Sequence, residues 1–120
     1  MTSEELRDRT KRFATRIVAL FRSLPRSPDA QVMGKQLLRC GTSVAANYRA
    51  ACRARSKAEF IAKIGLVLEE TDEGVFWIEL LGDTGTVKAA RLNDLLREAK
   101  ELTAIFTASL VTARNGKGKV

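Results

Sequence analysis

Residues 39–60 read RCGTSVAANYRAACRARSKAEF. In the first part of this stretch the small residues Gly41, Ser43, Ala45, Ala46, Ala50 and Ala51 surround the larger Val44 and Tyr48. A helix has this composition when its neighbours must approach its backbone closely, so the segment is expected to be the central helix of a bundle. The last part gathers Arg49, Arg53, Arg55 and Lys57, cations that complement the negative pole of a helix C-terminus. Ser56-Lys57-Ala58-Glu59 then has the form of a capping box: the Ser56 hydroxyl accepts from the Glu59 amide, and the Glu59 carboxylate reaches back to the Ser56 amide. One helix ends there and another begins.

Upstream, Leu6, Phe13, Ile17, Leu20 and Leu24 recur at three- and four-residue steps, which predicts an amphipathic helix capped by Ser3 and ending near Leu24. Arg9, Arg12 and Arg16 share its opposite side, either as a solvated face with four-residue charge pairs or as a contact surface. Pro25 and Pro28 enforce a turn, since proline restricts its own φ and the residue before it. Asp29 is expected to cap the second helix, which would run to about Arg55. Gly34 and Gly41 each cost about 1 kcal/mol inside a helix relative to alanine, so close helix contact is the expected reason for them.

Downstream of the capping box, Phe60, Ile64, Val67, Thr71, Val75, Ile78 and Leu81 mark a third helix to about Leu81. Ile61, Leu68 and Trp77 widen its stripe beyond what one neighbour requires, implying a second buried face. Gly82-Asp83-Thr84-Gly85 makes a turn, and a fourth helix starts near Thr86 and carries Val87, Ala90, Leu92, Leu95, Leu96, Ala99, Leu102, Ile105, Phe106 and Leu110. No strand pattern competes. The expected fold is all-α: an up-down-up-down antiparallel four-helix bundle as a single domain over 1–114, with a flexible basic tail at 115–120.

Charge is distributed unevenly. Residues 1–57 carry thirteen Lys or Arg against four acids, residues 58–85 one against seven, and residues 86–120 seven against three, for a net charge of +7. A basic surface beside an acidic helix suits a polyanion or charge-matched self-association. There is no run of about 20 apolar residues to span a bilayer. The acidic N-terminus, with Glu4, Glu5 and Asp8, does not read as a signal peptide, so a cytoplasmic protein without membrane partners is expected. Cys40 and Cys52 lie about 18 Å apart along one predicted helix, whereas a disulfide needs Cα atoms within about 7 Å, so both are expected as free thiols.

The absence of histidine removes Ser-His-Asp and Cys-His nucleophiles and histidine-dependent zinc sites. The glycines at 82 and 85 lack the Lys-Ser or Lys-Thr of a phosphate-cradling loop, and no cofactor is expected. One carboxylate set could be catalytic. Glu69, Glu70 and Glu73, with Glu98 and Glu101, resemble the magnesium-binding pattern of all-α nucleoside triphosphate pyrophosphohydrolases, and their alternative role is in exposed or interhelical salt bridges. Asn47, if buried, needs a polar partner, for which Glu70 on the next helix is a candidate; otherwise it serves helix register.

The run LLRCGTSVAANYR over 37–49, with Ser56 through Phe60, Lys63, Glu69-Glu70-Thr71 and Trp77-Ile78-Glu79-Leu80-Leu81, resembles the 23S ribosomal RNA intervening-sequence protein family. Relatives often place an acid directly after the arginine at 49, where this chain has Ala50. The resemblance implies an antiparallel bundle in a ring-like homopentamer. It also implies kinship with a retroelement accessory protein that binds a reverse transcriptase and nucleic acid. The resulting expectation is a non-enzymatic homo-oligomer contacting RNA or DNA phosphates through Arg9, Arg12, Arg16, Arg39, Arg49, Arg53, Arg55 and Lys57, with a protein-interaction scaffold as the alternative.

Overall fold

The structure, a computed structural model, describes residues 1–116. It contains α1 (Ser3–Arg22), α2 (Pro28–Ala51), α3 (Lys57–Asp83) and α4 (Ala89–Arg114), with no strand among the described residues. Each helix packs on the next, and α1 meets α4 to close the ring. The result is an up-down-up-down bundle measuring 46 × 20 × 20 Å. Of the basic tail expected over 115–120, residues 117–120 lie outside the described residues.

The apolar stripes read from the sequence meet along the axis. Phe13, Ile17, Val44, Tyr48, Ile64, Val67, Ile78, Leu81, Leu102 and Phe106 are all fully buried there. The Tyr48 and Phe106 rings pack at 5.3 Å with a 51° tilt. Both glycines of α2 mark close approaches to α1, as expected. A Cβ on Gly41 would lie 2.3 Å from Ile17 Cδ1, and one on Gly34 would lie 2.4 Å from Leu24 Cδ1. These two contacts set a register: moving seven residues back along α2 moves seven forward along α1.

Several boundaries differ from expectation. Thr2, not Ser3, caps α1, because its hydroxyl accepts from the Glu5 amide while the Glu5 carboxylate accepts from the Thr2 amide. Ser27 takes the N-cap position of α2 with Pro28 as the first helical residue, so Asp29 falls inside the first turn. That helix stops at Ala51, which places Arg53 and Arg55 in the connection to α3. Ser56 accepts from the Glu59 amide at 3.1 Å as predicted, yet the Glu59 carboxylate takes the amide of Arg55 instead of Ser56. The start of α4 shifts to Ala89 because the preceding residues form an ordered turn: Val87 is buried and donates to Leu81 O, and Gly85 adopts φ +70°.

Candidate nucleic-acid interface

The eight cations expected to bind phosphate separate into two kinds. Arg9 leaves the solvated face of α1 and turns to α4. Its Nε and Nη2 donate to the two carboxylate oxygens of Glu98 at 2.8 and 2.6 Å, and Nη2 also donates to Glu101 at 2.8 Å. Such a bidentate pair is geometrically specific, and the Glu98 hydrogen bonds hold the Arg9 proton well above its ordinary range. Arg39, whose side chain stays half exposed, bridges α2 and α3. It donates to Glu70 at 3.1 Å and to Glu73, whose carboxylate also accepts from Trp77 Nε1 at 3.0 Å. The Trp77 indole and Arg39 together hold the Glu73 carboxyl below its usual value.

These two clamps use four of the five carboxylates that the catalytic alternative requires. Glu70 and Glu73 are held at the α2/α3 seam and Glu98 and Glu101 at the α1/α4 seam, while Glu69 is exposed. No cluster of three or more candidate ligands able to hold a metal ion occurs among the described residues. Asn47 does not reach Glu70: its side-chain amide donates to Ser43 O one turn back, and Glu70 is satisfied by Arg39. Asn47 is half-buried, so the local backbone bond together with solvent meets its needs without an interhelical partner.

The remaining six cations, Arg12, Arg16, Arg49, Arg53, Arg55 and Lys57, are exposed and form no ion pair among the described residues. Two of them border a groove of about 620 Å³ between α1 and α2. Arg7, Asp8 and Lys11 line its α1 side, and Arg49, Cys52 and Arg53 line its α2 side, with Thr42, Ala45 and Ala46 between them. The groove is open because Thr42, Ala45 and Ala46 put no large side chain into the outer seam, while Gly34 and Gly41 bring the two helices together beneath it. Arg7 and Lys11 were not among the predicted contacts. The signal for them was present as a four-residue repeat of cations facing the Arg49/Arg53 repeat, but pairing the two required the helix register.

At the groove's end Arg7 lies beside the Cys52 sulfur, which raises the guanidinium's pKa. Just beneath, the Tyr48 hydroxyl is buried with no hydrogen-bond partner among the described residues, and burial raises its pKa strongly. Cys40, by contrast, faces the core, and burial pushes its thiol up to about 12. Both cysteines are free.

On the far side of the molecule α3 leaves Leu66 39% and Phe76 52% exposed, and the Phe76 ring stands edge-on to Trp77 at 4.9 Å. Val32 of α2 is 62% exposed on the face that carries Arg39. No helix of the described residues is long and apolar enough to cross a membrane.

A closed ring of four antiparallel helices with a basic α1/α2 side and an acidic, partly apolar α3 defines a small helical-bundle protein. The chain belongs to the 23S rRNA-intervening sequence protein family, whose sequence profile matches residues 4–108. Among solved structures, it is similar to a protein of unknown function from the S23 ribosomal protein family of Bacteroides thetaiotaomicron VPI-5482. The two are 34% identical with a TM-score of 0.86, over 93% of this chain and 100% of that one. No curated protein is significantly similar to it. Neither description names an enzymatic activity.

Proposed function

We propose that this protein is a non-enzymatic, homo-oligomeric bundle that binds RNA or DNA through the phosphate backbone, as an accessory to a nucleic-acid-processing partner. The observation that carries the reading is the set of six exposed cations without carboxylate partners among the described residues, Arg12, Arg16, Arg49, Arg53, Arg55 and Lys57, on α1, at the end of α2, in its connection to α3 and at the start of α3. Cations held in carboxylate clamps have their field neutralised locally, whereas unpaired ones attract a polyanion and release its counterions. Among the described residues of α1 and α2 no aromatic side chain is exposed, so the contact is to backbone and not to stacked bases. Structured RNA or a duplex is the fitting target.

Self-association is supported by α3. Its exposed Leu66 and Phe76, beside half-buried Ile61, Trp77 and Leu80, continue the apolar surface past the bundle core. A ring of five chains, as the family resemblance implies, is the expected assembly.

The test is the mass in solution by light scattering, with and without a mixed-sequence RNA hairpin, at low and at moderate salt. A five-chain particle that takes up the hairpin and sheds it as salt rises is the expected outcome. A monomer indifferent to RNA would overturn the proposal, and a particle that binds an acidic protein but not RNA would leave the scaffold reading in its place.

A further inference from the structure

The geometry points to the α1/α2 groove as the seat of one strand's sugar–phosphate backbone, held between Arg7 and Lys11 on one bank and Arg49 and Arg53 on the other. This rests on the nucleic-acid reading above and gives it a location, two further contact residues and a mode of binding. The register set by the Gly41–Ile17 and Gly34–Leu24 contacts places Arg49 at the level of residue 9 of α1, midway between Arg7 and Lys11. Arg53, just past the helix end, lies beyond Arg7. Lys11, Arg49 and Arg7 therefore alternate across the groove at intervals of about 3 Å, two residues of helical rise, and Arg53 continues the row past the helix end. A strand's backbone carries its phosphates as a continuous row of anions, so neighbouring phosphates lying in the groove can meet cations of both banks.

The shape favours the same occupant. Thr42, Ala45 and Ala46 put no large apolar side chain into the groove, so its lining suits an anionic chain with charge along its length. Three of the four cations are arginines, whose planar fork matches phosphate oxygens bidentately. Asp8 is the single acid on the banks, so the groove stays net positive.

Cys52 supplies a reporter inside the groove, and Cys40, fully buried, serves as an internal control. The experiment is alkylation of the full chain by N-ethylmaleimide at low salt, free and with a mixed-sequence RNA hairpin, with hairpin binding followed in parallel by fluorescence anisotropy. With about nine-tenths of the sites occupied, Cys52 labelling should slow about tenfold and recover as salt releases the RNA. Cys40 should stay unlabelled throughout. The Arg7→Gln/Lys11→Gln double variant, with helical content checked by circular dichroism, should lower the slope of log affinity against log salt by about 2.

Hairpin binding that leaves both Cys52 labelling and the double variant's salt slope unchanged would overturn the groove assignment while sparing the nucleic-acid reading. No hairpin binding at all would overturn both. Cys52 that is shielded in the RNA-free protein and exposed on dilution would assign the groove to a second copy, and the inference would again fail.

Discussion

Three seams of this bundle carry arginines, and they use them in two opposite ways. At the α1/α4 and α2/α3 seams, Arg9 and Arg39 each bridge two carboxylates of the neighbouring helix. At the α1/α2 seam, Arg7, Lys11, Arg49 and Arg53 face one another with Asp8 as the sole acid. The difference lies in the partner helix. α3 and α4 present glutamates in one-turn pairs, Glu70 with Glu73 and Glu98 with Glu101, whereas α2 offers α1 only small residues and more cations. A positive charge across from an acid pair becomes part of the scaffold; one across from another positive charge remains available to an outside anion.

The largest expected effect separates these roles directly. Replacing Arg7, Lys11, Arg49 and Arg53 together by glutamine should cut affinity for an RNA hairpin at low salt by about a hundredfold or more and lower the salt slope by about 3 to 4. Denaturant stability should hold within about 0.5 kcal/mol, as for surface sites without buried partners. Equal loss from replacing the clamped arginines would erase the distinction between the seams.

Arg9→Met tests the clamp. It leaves Glu98, whose side chain is only 18% exposed, without its bidentate partner, and a loss of about 1–3 kcal/mol in urea unfolding is expected, with hairpin affinity nearly unchanged. A variant as stable as the parent would mean that the pair is solvated and contributes little. Gly41→Ala probes how closely α1 and α2 approach beneath the groove. The added Cβ meets Ile17, itself fully buried, so destabilisation of about 1–3 kcal/mol is expected despite alanine's better helix propensity. Stabilisation would show that the helices separate easily and that the register used for the groove is soft.

The smallest effect is in acid. Because Glu73 has its folded pKa depressed below 4.5, first by the Trp77 indole and then by Arg39, its stabilising contribution is present above that value and is lost as pH falls through the lower folded value. Glu73→Gln should therefore be slightly less stable than the parent at neutral pH and converge with it in acid. A constant difference between the two across the acid range would mean that the clamp does not depend on the Glu73 charge.

Much of this was legible in the chain. Periodicity located four helices, and the two glycines of α2 announced close contact, because a residue costly to a helix needs a compensating contact elsewhere. Helix ends were less legible. The extent of α2 was overread past Ala51, since Arg53 and Arg55 are good helix formers and only the geometry of the connection to α3 removes them from the helix. Six predicted contact residues have no ion-pair partner among the described residues, whereas Arg9 and Arg39 tie neighbouring helices together. Their partners stand 89 and 31 residues away in the chain, beyond the reach of a pattern read over a few helical turns. The Asn47–Glu70 pairing failed for a related reason: a local carbonyl one turn away satisfied Asn47 before a distant carboxylate could.

The sequence by itself determined the helix count, the antiparallel order, the apolar core and the basic excess of the first half, because each follows from periodicity, short connections and composition. Only the tertiary structure decided which cations are neutralised and which remain free, and that Arg7 and Lys11 stand opposite Arg49 and Arg53. Charge identity is a property of the residue, but its availability depends on what the neighbouring helix brings within about 4 Å, and that is set by packing register.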